Sequence, residues 1–150
     1  MSDNKEIKAV NSTYTAIAES QGCGCGCGSC GTADPLEAAE QIGYSANDLG
    51  DIPKEAVLGL GCGTPVAYVG LKKGETVIDL GSGGGIDVFL AAKKVGPTGR
   101  VIGVDMNEAM IKRAREAAEK YGYNNVEFRL GEIEALPVND SQLTRSSVTV

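Results

Sequence analysis

The sequence predicts an α/β fold in which parallel strands alternate with helices. Three short runs are typical of strands: Thr76–Ile78 and Val101–Val104 are largely apolar, and Val126–Leu130 alternates between apolar and polar residues. Helical spacing of apolar residues separates these runs, and this alternation is the pattern of βαβ units. The chain of 150 residues is expected to form one domain. The predicted sheet is therefore a βαβαβ unit.

A glycine-rich turn follows the first predicted strand. The stretch Val77–Ala91 reads VIDLGSGGGIDVFLA and places Asp79 at the carboxyl end of the strand, ahead of Gly81, Gly83 and Gly85. Strand, glycine turn and helix together bring backbone N–H groups and a helix N-terminus close to a ligand. A Cβ atom there would hold the ligand away or forbid a positive φ. The G-x-G-x-G spacing differs from the G-x-G-x-x-G of dinucleotide-binding folds, so a nicotinamide-binding domain is the least favoured alternative.

Composition and charge exclude several classes of function. The net charge is −6, which argues against a nucleic-acid-binding surface, and the chain contains no histidine. Without histidine, Ser-His or Cys-His catalysis and His-ligated metal sites are excluded. The polar start MSDNKEIK is not a signal peptide, and no apolar run is long enough to span a membrane. We therefore expect a cytoplasmic protein whose cysteines are reduced thiols.

The first third of the chain contains three helix signals. Apolar residues at three- and four-residue spacings predict a helix over residues 5–19 that covers part of the core. Asp34 and Pro35 predict the start of a second helix, which Gly43 ends. The segment Ser45–Asp48 has the spacing of a capping box and predicts a third helix start.

A further helix is predicted after the second strand. Asn107 is expected to cap it. The charged side chains Lys112, Arg113 and Arg115 are expected to form a solvated face. The apolar stripe of this helix consists of Met110, Ile111, Ala114, Ala118 and Tyr121.

Four cysteines crowd into residues 22–31, which read GCGCGCGSCG. They are Cys23, Cys25, Cys27 and Cys30, and glycine this frequent does not support a helix or strand. Thiolates are the preferred ligands of soft, thiophilic species, so capture of such a species or redox chemistry is one hypothesis. A structural zinc site and an inert low-complexity insert are the alternatives.

The fifth cysteine stands on another glycine-rich segment. Cys62 lies within GLGCG, directly ahead of the first predicted strand. A lone cysteine is often a buried apolar residue, but the flanking Gly61 and Gly63 leave this thiol little to pack against.

These motifs together resemble the arsenite S-adenosylmethionine methyltransferases, a family of class I methyltransferases with a Rossmann-like fold. The similarity runs from about Gly43 to Val138, and its most specific piece is IP-x₂-A-x-LGLGCG-x-P joined to the glycine turn. The glycine turn alone resembles motif I of many methyltransferases. The resemblance implies that S-adenosyl-L-methionine is the cofactor and that arsenite, or its thiol conjugate, is the substrate. It also implies a thiol reductant, such as thioredoxin or a small thiol, as a partner, with neither nucleic acid nor membrane involved.

By this resemblance, Cys62 is one of the thiolates that bind As(III). Cys30 and Cys27 are the candidates for its partners, although the alternating cysteine pattern departs from the vicinal pair that family members often carry. Arsenic(III) is soft and three-coordinate with sulfur, so its site requires thiolates from different parts of the chain. The reaction implied is direct transfer of the sulfonium methyl group to the lone pair of thiolate-bound As(III). No general base is required for this step.

Several side chains beyond the glycine turn are candidates for cofactor binding. Asp105 ends the second strand about 20 residues after the turn, where an acid takes ribose hydroxyls in nucleoside-binding α/β folds. Met106 is placed to lie against the adenine face, with core packing as an equal alternative. Glu132 and Ile133 occupy the positions that meet the adenine in the family. Asp79, Gly81, Gly83 and Gly85 complete the predicted site.

The resemblance leads to an expectation about the organisation of the chain. Residues 1–34 are predicted to be an N-terminal helix with a Cys/Gly-rich loop, and residues 35–141 a partial methyltransferase domain limited to the N-terminal βαβαβ half. Residues 142–150, whose sequence is polar and patternless, are predicted to be an aberrant tail. A truncated form of this kind is expected to bind the cofactor weakly and to be weakly active or inactive.

Two alternatives to an arsenite methyltransferase remain open from the residues. A methyltransferase acting on a quinone or another small organic acceptor explains the glycine turn and Asp105, but it has no use for Cys62. A non-enzymatic thiol module that binds metalloids explains the cysteines and predicts no binding of S-adenosylhomocysteine.

The tail from Gln142 to Val150 is predicted to be a frameshifted translation. With a suitable codon choice, removing the first two bases of QLTRSSVTV changes its reading to Val-Asp-Thr-Val-Ile-Ser-Asn-Cys, an apolar strand that ends in the Ser-Asn-Cys of the resembled family. Sequencing the gene tests this prediction. It is wrong if the bases after the Ser141 codon encode no such strand in another frame.

Overall fold

The protein is described by a computed structural model that covers residues 3–19, 34–58, 70–132 and 145–148. The helices are α1 (Asp3–Glu19), α2 (Pro35–Gln41), α3 (Ala46–Gly50), a 3₁₀ turn (Lys54–Ala56), α4 (Ile86–Val95) and α5 (Glu108–Lys120). The strands are β1 (Thr76–Leu80), β2 (Arg100–Asp105), β3 (Val126–Leu130) and β4 (Arg145–Val148). The predicted order of strand, helix, strand, helix and strand is confirmed over residues 76–130.

The strands form a parallel sheet in the order β3-β2-β1-β4. The chain moves outward from β1 to β3 and then returns to the other side of β1. This reversal creates a switch point between β1 and β4, and ligands of open α/β sheets bind outside the carboxyl ends of the strands at such a point. The glycine turn leaves β1 at this position.

The strand β4 is the element that the sequence did not predict. It lies within the tail that was interpreted as patternless, yet Val77 pairs with Arg145 and Leu80 with Val148 in a parallel register. Pairing of this kind joins backbone N–H and C=O groups, which every residue except proline carries, so it does not require an apolar sequence. The sheet therefore has one strand more than the predicted βαβαβ half. The structure leaves the proposed origin of the tail untested.

The two faces of the sheet carry separate groups of buried side chains. One face packs against α4 and α5, where Val88, Phe89 and Ile111 are almost fully buried. The opposite face carries a buried cluster of Ile78, Leu80, Ile102 and Val104. Alternation along β1 and β2 produces this division, because successive side chains of a strand point to opposite faces.

Two glycines make room for the ring of Phe128 beneath the glycine turn. A Cβ atom on Gly103 would lie 2.8 Å from the Phe128 ring, and a Cβ on Gly85 would lie equally close to it. The ring also packs against Phe89, with the centroids 5.6 Å apart. The turn between β1 and α4 can therefore approach the sheet only because both positions lack a side chain.

The predicted helix caps are confirmed. The Asp34 side chain accepts a hydrogen bond from the Leu36 N–H at 3.1 Å, with Pro35 as the first helical residue. The Ser45 hydroxyl oxygen accepts from the Asp48 N–H at 3.2 Å. The N-terminal helix also forms as predicted and contributes Ile17 and Ala18 to the core, as the covering role requires. Within the described ranges, no helix combines the length and the apolar character needed to cross a membrane.

The predicted solvated face of α5 is wrong for Arg113. Its Nε donates to the Glu55 carbonyl at 2.7 Å and its Nη1 donates to the Ala18 carbonyl at 2.8 Å. The last turn of α1 contains no basic residue, so this guanidinium supplies the positive charge that a helix C-terminus favours. Tyr121 also departs from the prediction, since it is exposed and does not extend the apolar stripe.

A buried acid connects α4 to the segment before α3. Asp87 lies in the first turn of α4, and its Oδ2 accepts a hydrogen bond from the Tyr44 hydroxyl at 3.0 Å. Its Oδ1 is buried without a hydrogen-bond partner among the described residues. Burial raises the pKa of the Asp87 carboxyl to about 6, and the hydrogen bond from Tyr44 acts in the opposite direction. The ionised form is therefore disfavoured in the folded chain.

We expect the wild-type chain to lose stability relative to Asp87→Asn as the pH rises from about 4 to about 7. In this window the folded state retains a proton that the unfolded chain has released. The stabilisation is therefore complete below the ordinary pKa of 3.8 and is lost as the pH passes about 6. The rise in the pKa of Asp87 corresponds to a change in the free energy of unfolding on the order of 3 kcal/mol. Urea unfolding of both proteins at several pH values measures it.

The matched control is Glu37→Gln. Glu37 is also an acid in the first turn of a helix, but it is exposed. Its stability difference from the wild type, measured at the same pH values, is the baseline for loss of an exposed acid. A difference for Asp87→Asn that changes with pH no more than this baseline contradicts the prediction.

Candidate cofactor site at the carboxyl edge of the sheet

The predicted cofactor residues that the structure describes lie at one edge of the sheet. Asp79 pairs with Gly103, and Asp105 pairs with Leu130, so β1, β2 and β3 end at similar heights. The Gly131 N–H donates to the Asp105 carbonyl at 3.0 Å, which holds the chain after β3 beside the end of β2. The carboxyl ends of three neighbouring strands therefore bring Asp79, Asp105 and the segment before Glu132 together.

The glycine turn has a backbone conformation that requires glycine. Gly81, Gly83 and Gly85 have φ values of 75°, 49° and 93°, all in the left-handed region that side chains disfavour. The N–H groups of Gly81 and Ser82 both donate to the Val104 carbonyl, at 2.8 and 3.0 Å. The turn is therefore folded back over the end of β2 and fixed to it.

The three glycines of the motif have different surroundings. Among the described residues, no atom lies within 4 Å of a Cβ built on Gly83, whereas a Cβ on Gly85 would collide with the Phe128 ring. The N–H of Gly81 is already bonded to Val104. Gly83 therefore faces space that no described residue fills, while Gly85 allows helix and sheet to pack closely. Sequence spacing alone treats these positions as equivalent.

The carboxylate of Asp105 joins the turn to the end of β2. Its Oδ2 accepts from the Gly83 N–H and its Oδ1 accepts from the Asn107 N–H, each at 2.8 Å. The side chain is half-buried. A carboxylate has about four acceptor positions, so both oxygens retain capacity for further donors. The arrangement can accept two neighbouring hydroxyl groups from a ligand lying at the edge.

This geometry fits the nucleoside part of the predicted cofactor. A ribose carries two adjacent hydroxyls, which match the two oxygens of Asp105. The open space beside Gly83 adjoins this carboxylate, because the Gly83 N–H is bonded to it. Asp79 lies deeper and is buried at the end of β1. The residues present therefore fit S-adenosylmethionine at the point where the sequence predicted it.

Two exposed apolar side chains flank the carboxylate of Asp105. Met106 is 43% exposed and Leu130 is 49% exposed, although both adjoin the buried ends of strands. Core packing, the alternative considered for Met106, is therefore wrong. Contact of Met106 with an adenine remains a prediction. Glu132 is exposed near the same edge, and Ile133 lies outside the described residues.

The predicted arsenic ligands lie outside the described residues. This applies to Cys62, Cys30 and Cys27, and also to the other two cysteines of the chain. Among the residues that the structure describes, no group of three or more Cys, Asp or Glu side chains is placed to hold a metal ion. The thiolate site therefore stays a prediction from the sequence.

One functional contact of the site was missed by sequence reasoning. Asn107 was predicted only to cap α5, and it does so by accepting from the Met110 N–H at 3.0 Å. It also donates its backbone N–H to Asp105 and its side-chain amide to α1. A cap is visible in sequence because its partner lies three residues away. No local signal marks a partner on α1.

Comparison with known families shows where this chain belongs. Residues 71–145, half of the chain, match the family model described as a methyltransferase domain. This range contains β1 to β3, the glycine turn and Asp105, which form the candidate site.

Individual relatives extend the similarity. An arsenite methyltransferase from Halobacterium salinarum is 52% identical over 114 residues, which cover 76% of this chain and 29% of that protein. A ubiquinone/menaquinone biosynthesis C-methyltransferase from Enterobacter sp. strain 638 is 40% identical over 73 residues, covering 48% of this chain and 29% of that protein. The chain thus spans less than a third of the length of these curated relatives.

A solved structure shows the same architecture. The arsenic(III) S-adenosylmethionine methyltransferase of Chlamydomonas reinhardtii superimposes with a TM-score of 0.53 and 31% identity, over 77% of this chain and 38% of that one. The resemblance predicted from the sequence and the Rossmann-like methyltransferase fold are confirmed by these matches. By its fold, its glycine turn and the family model that matches half of its length, the chain belongs to the methyltransferase domain family.

Proposed function

We propose that this chain binds S-adenosylmethionine and As(III) and acts in the methylation of arsenite. The observation that carries the cofactor part is the Asp105 carboxylate, which is fixed beside the open face of Gly83 by two backbone N–H groups. The similarity to the arsenite methyltransferase of Halobacterium salinarum supports the arsenic part.

In this proposal, different residues at the carboxyl edge of the sheet contact different parts of the cofactor. Asp105 accepts the ribose hydroxyls, and Gly83 leaves room for the ligand to approach the backbone of the turn. Met106 offers an apolar surface to the adenine, and Glu132 and Ile133 are assigned to the adenine by their positions in the sequence. The bound cofactor supplies a methyl group on a positively charged sulfur. A fixed carboxylate needs no reorganisation when the ligand arrives, so its contribution is positioning.

The acceptor side is assigned to thiolates. Cys62, together with Cys30 or Cys27, holds As(III), because soft arsenic prefers sulfur and requires ligands that converge from separate segments. The bound arsenic retains a lone pair as its nucleophile, so these residues orient the acceptor and exclude water without moving a proton. We place this arsenic-detoxifying activity in the cytoplasm, where a thiol reductant such as thioredoxin or a small thiol keeps the cysteines reduced.

A methyltransferase with a small organic acceptor is the second candidate. The similarity to a ubiquinone/menaquinone biosynthesis C-methyltransferase favours it, because that protein is 40% identical over 73 residues of this chain. The two candidates share every described residue of the cofactor site. They differ in Cys62, which only the arsenic proposal uses.

Gly83→Ala should weaken binding of S-adenosylhomocysteine by about tenfold or more, because a methyl group would enter the open face of the turn. Ligand-observed saturation-transfer NMR measures this even when affinity is low. Gly122→Ala is the matched control, since Gly122 also has a positive φ and an unobstructed Cβ direction but lies beyond α5. Equal affinity of both variants would contradict the assignment of Gly83.

Cys62→Ser should abolish stoichiometric binding of phenylarsine oxide, which needs two thiolates, while Cys25→Ser should retain it. Isothermal titration calorimetry of the reduced proteins gives the stoichiometry. Retained binding in Cys62→Ser assigns the arsenic to the loop cysteines alone and favours a metalloid-binding module. The direct test of activity is an assay for methylated arsenic formed by the 150-residue chain.

A further inference from the structure

Asn107 is a buried polar residue whose contacts extend well beyond its own helix. Only 2% of it is exposed. Its Oδ1 accepts from the Met110 N–H, and its Nδ2 lies within hydrogen-bond distance of three oxygens of α1. These are the Asn11 carbonyl at 3.0 Å, the Asn11 Oδ1 at 2.5 Å and the Thr15 Oγ1 at 2.9 Å. Every polar atom of the side chain is therefore used.

The backbone of the same residue holds the carboxylate of the candidate site. The Asn107 N–H donates to Asp105 Oδ1 at 2.8 Å. The side chain of Asn107 thus connects to α1 while its N–H connects to the group assigned to the ribose hydroxyls. A shift of this residue moves both sets of contacts at once.

The helix α1 is anchored at further points along α5. Ile17 and Ala18 pack against Met110, and the Ala18 carbonyl accepts from Arg113 at 2.8 Å. The helix therefore lies against the first two turns of α5, close to the end of β2. It also lies outside residues 71–145, the range that the methyltransferase family model matches.

We propose that Asn107 is a positioning residue that makes the placement of the Asp105 carboxylate depend on α1. This inference rests on the proposed cofactor function of Asp105 and deepens it, because it adds α1 to the parts that determine cofactor affinity. The turn between β2 and α5 consists of Met106 and Asn107 alone, so its conformation fixes where the carboxylate points. The amide contacts with α1 hold that turn from the outside.

Substitutions on α1 test the inference without altering the turn itself. Thr15→Val removes one acceptor of the Asn107 amide and preserves the shape of the side chain. Thr13→Val is the matched control, because it is the same replacement at an exposed position of the same helix. Asn107→Ser is the complementary variant, since serine retains the ability to cap α5 but cannot reach α1 in the same way.

The first measurement is made without ligand. The Gly83 N–H is bonded to Asp105, so its hydrogen exchange reports whether the carboxylate stays in place. Exchange followed by ¹⁵N NMR should be about three- to tenfold faster in Thr15→Val and Asn107→Ser than in the wild type, as expected for loss of about one hydrogen bond. Thr13→Val should match the wild type. Unchanged exchange at Gly83 in both variants overturns the inference.

The second measurement separates positioning from a general loss of structure. Affinity for S-adenosylhomocysteine should fall about three- to tenfold in Thr15→Val. Thr15→Val should not lower the affinity for an analogue that lacks the two ribose hydroxyls. When Thr15→Val is added to Asp105→Ala, the affinity for S-adenosylhomocysteine should not fall below that of Asp105→Ala alone. Additive losses indicate a merely structural role and overturn the inference. If exchange at Gly83 responds as expected but the wild type binds no S-adenosylhomocysteine, the proposed function fails and the positioning role stands.

Discussion

The carboxylate of Asp105 is the interaction on which the geometry of this edge depends. It accepts N–H groups from the turn after β1 and from the turn after β2, so one side chain fixes two loops that are distant in sequence. Hydrogen bonds to an ionised acceptor are stronger than those between neutral groups. The Gly83 N–H can reach Asp105 only because Gly81 and Ser82 are folded back onto the Val104 carbonyl. The position of the glycine turn and the position of the carboxylate therefore depend on each other.

The sequence predicted what depends on near neighbours. The strands at Val101 and Val126, the cap of Asp34 and the glycine turn were all found, because each follows from residues a few positions apart. The contacts of Arg113 with Ala18 and Glu55 were missed, because a guanidinium shows no local sign of its distant partners. The strand β4 was missed because backbone pairing can recruit a polar segment.

The glycine motif identifies the class of the protein better than its substrate. Gly85 and Gly103 are required by the Phe128 ring, a packing constraint that says nothing about a methyl acceptor. The role proposed for Asp105 concerns the cofactor and not the methyl acceptor. An arsenite methyltransferase and a ubiquinone/menaquinone biosynthesis C-methyltransferase are accordingly both similar to this chain. The proposal therefore assigns discrimination between acceptors to residues other than these, with Cys62 as the candidate from the sequence.

Arg113 connects α5 to two positions that lie shortly before cysteines in the sequence. Its guanidinium holds the Ala18 carbonyl at the end of α1 and the Glu55 carbonyl in the 3₁₀ turn. The first of these positions stands shortly before Cys23 in the chain, and the second shortly before Cys62. The helix α5 is therefore bonded to one position that precedes the four N-terminal cysteines in the sequence and to one that precedes Cys62. Because Asn107, the N-cap of the same helix, donates to the Asp105 carboxylate, α5 connects the candidate cofactor site with both of these positions.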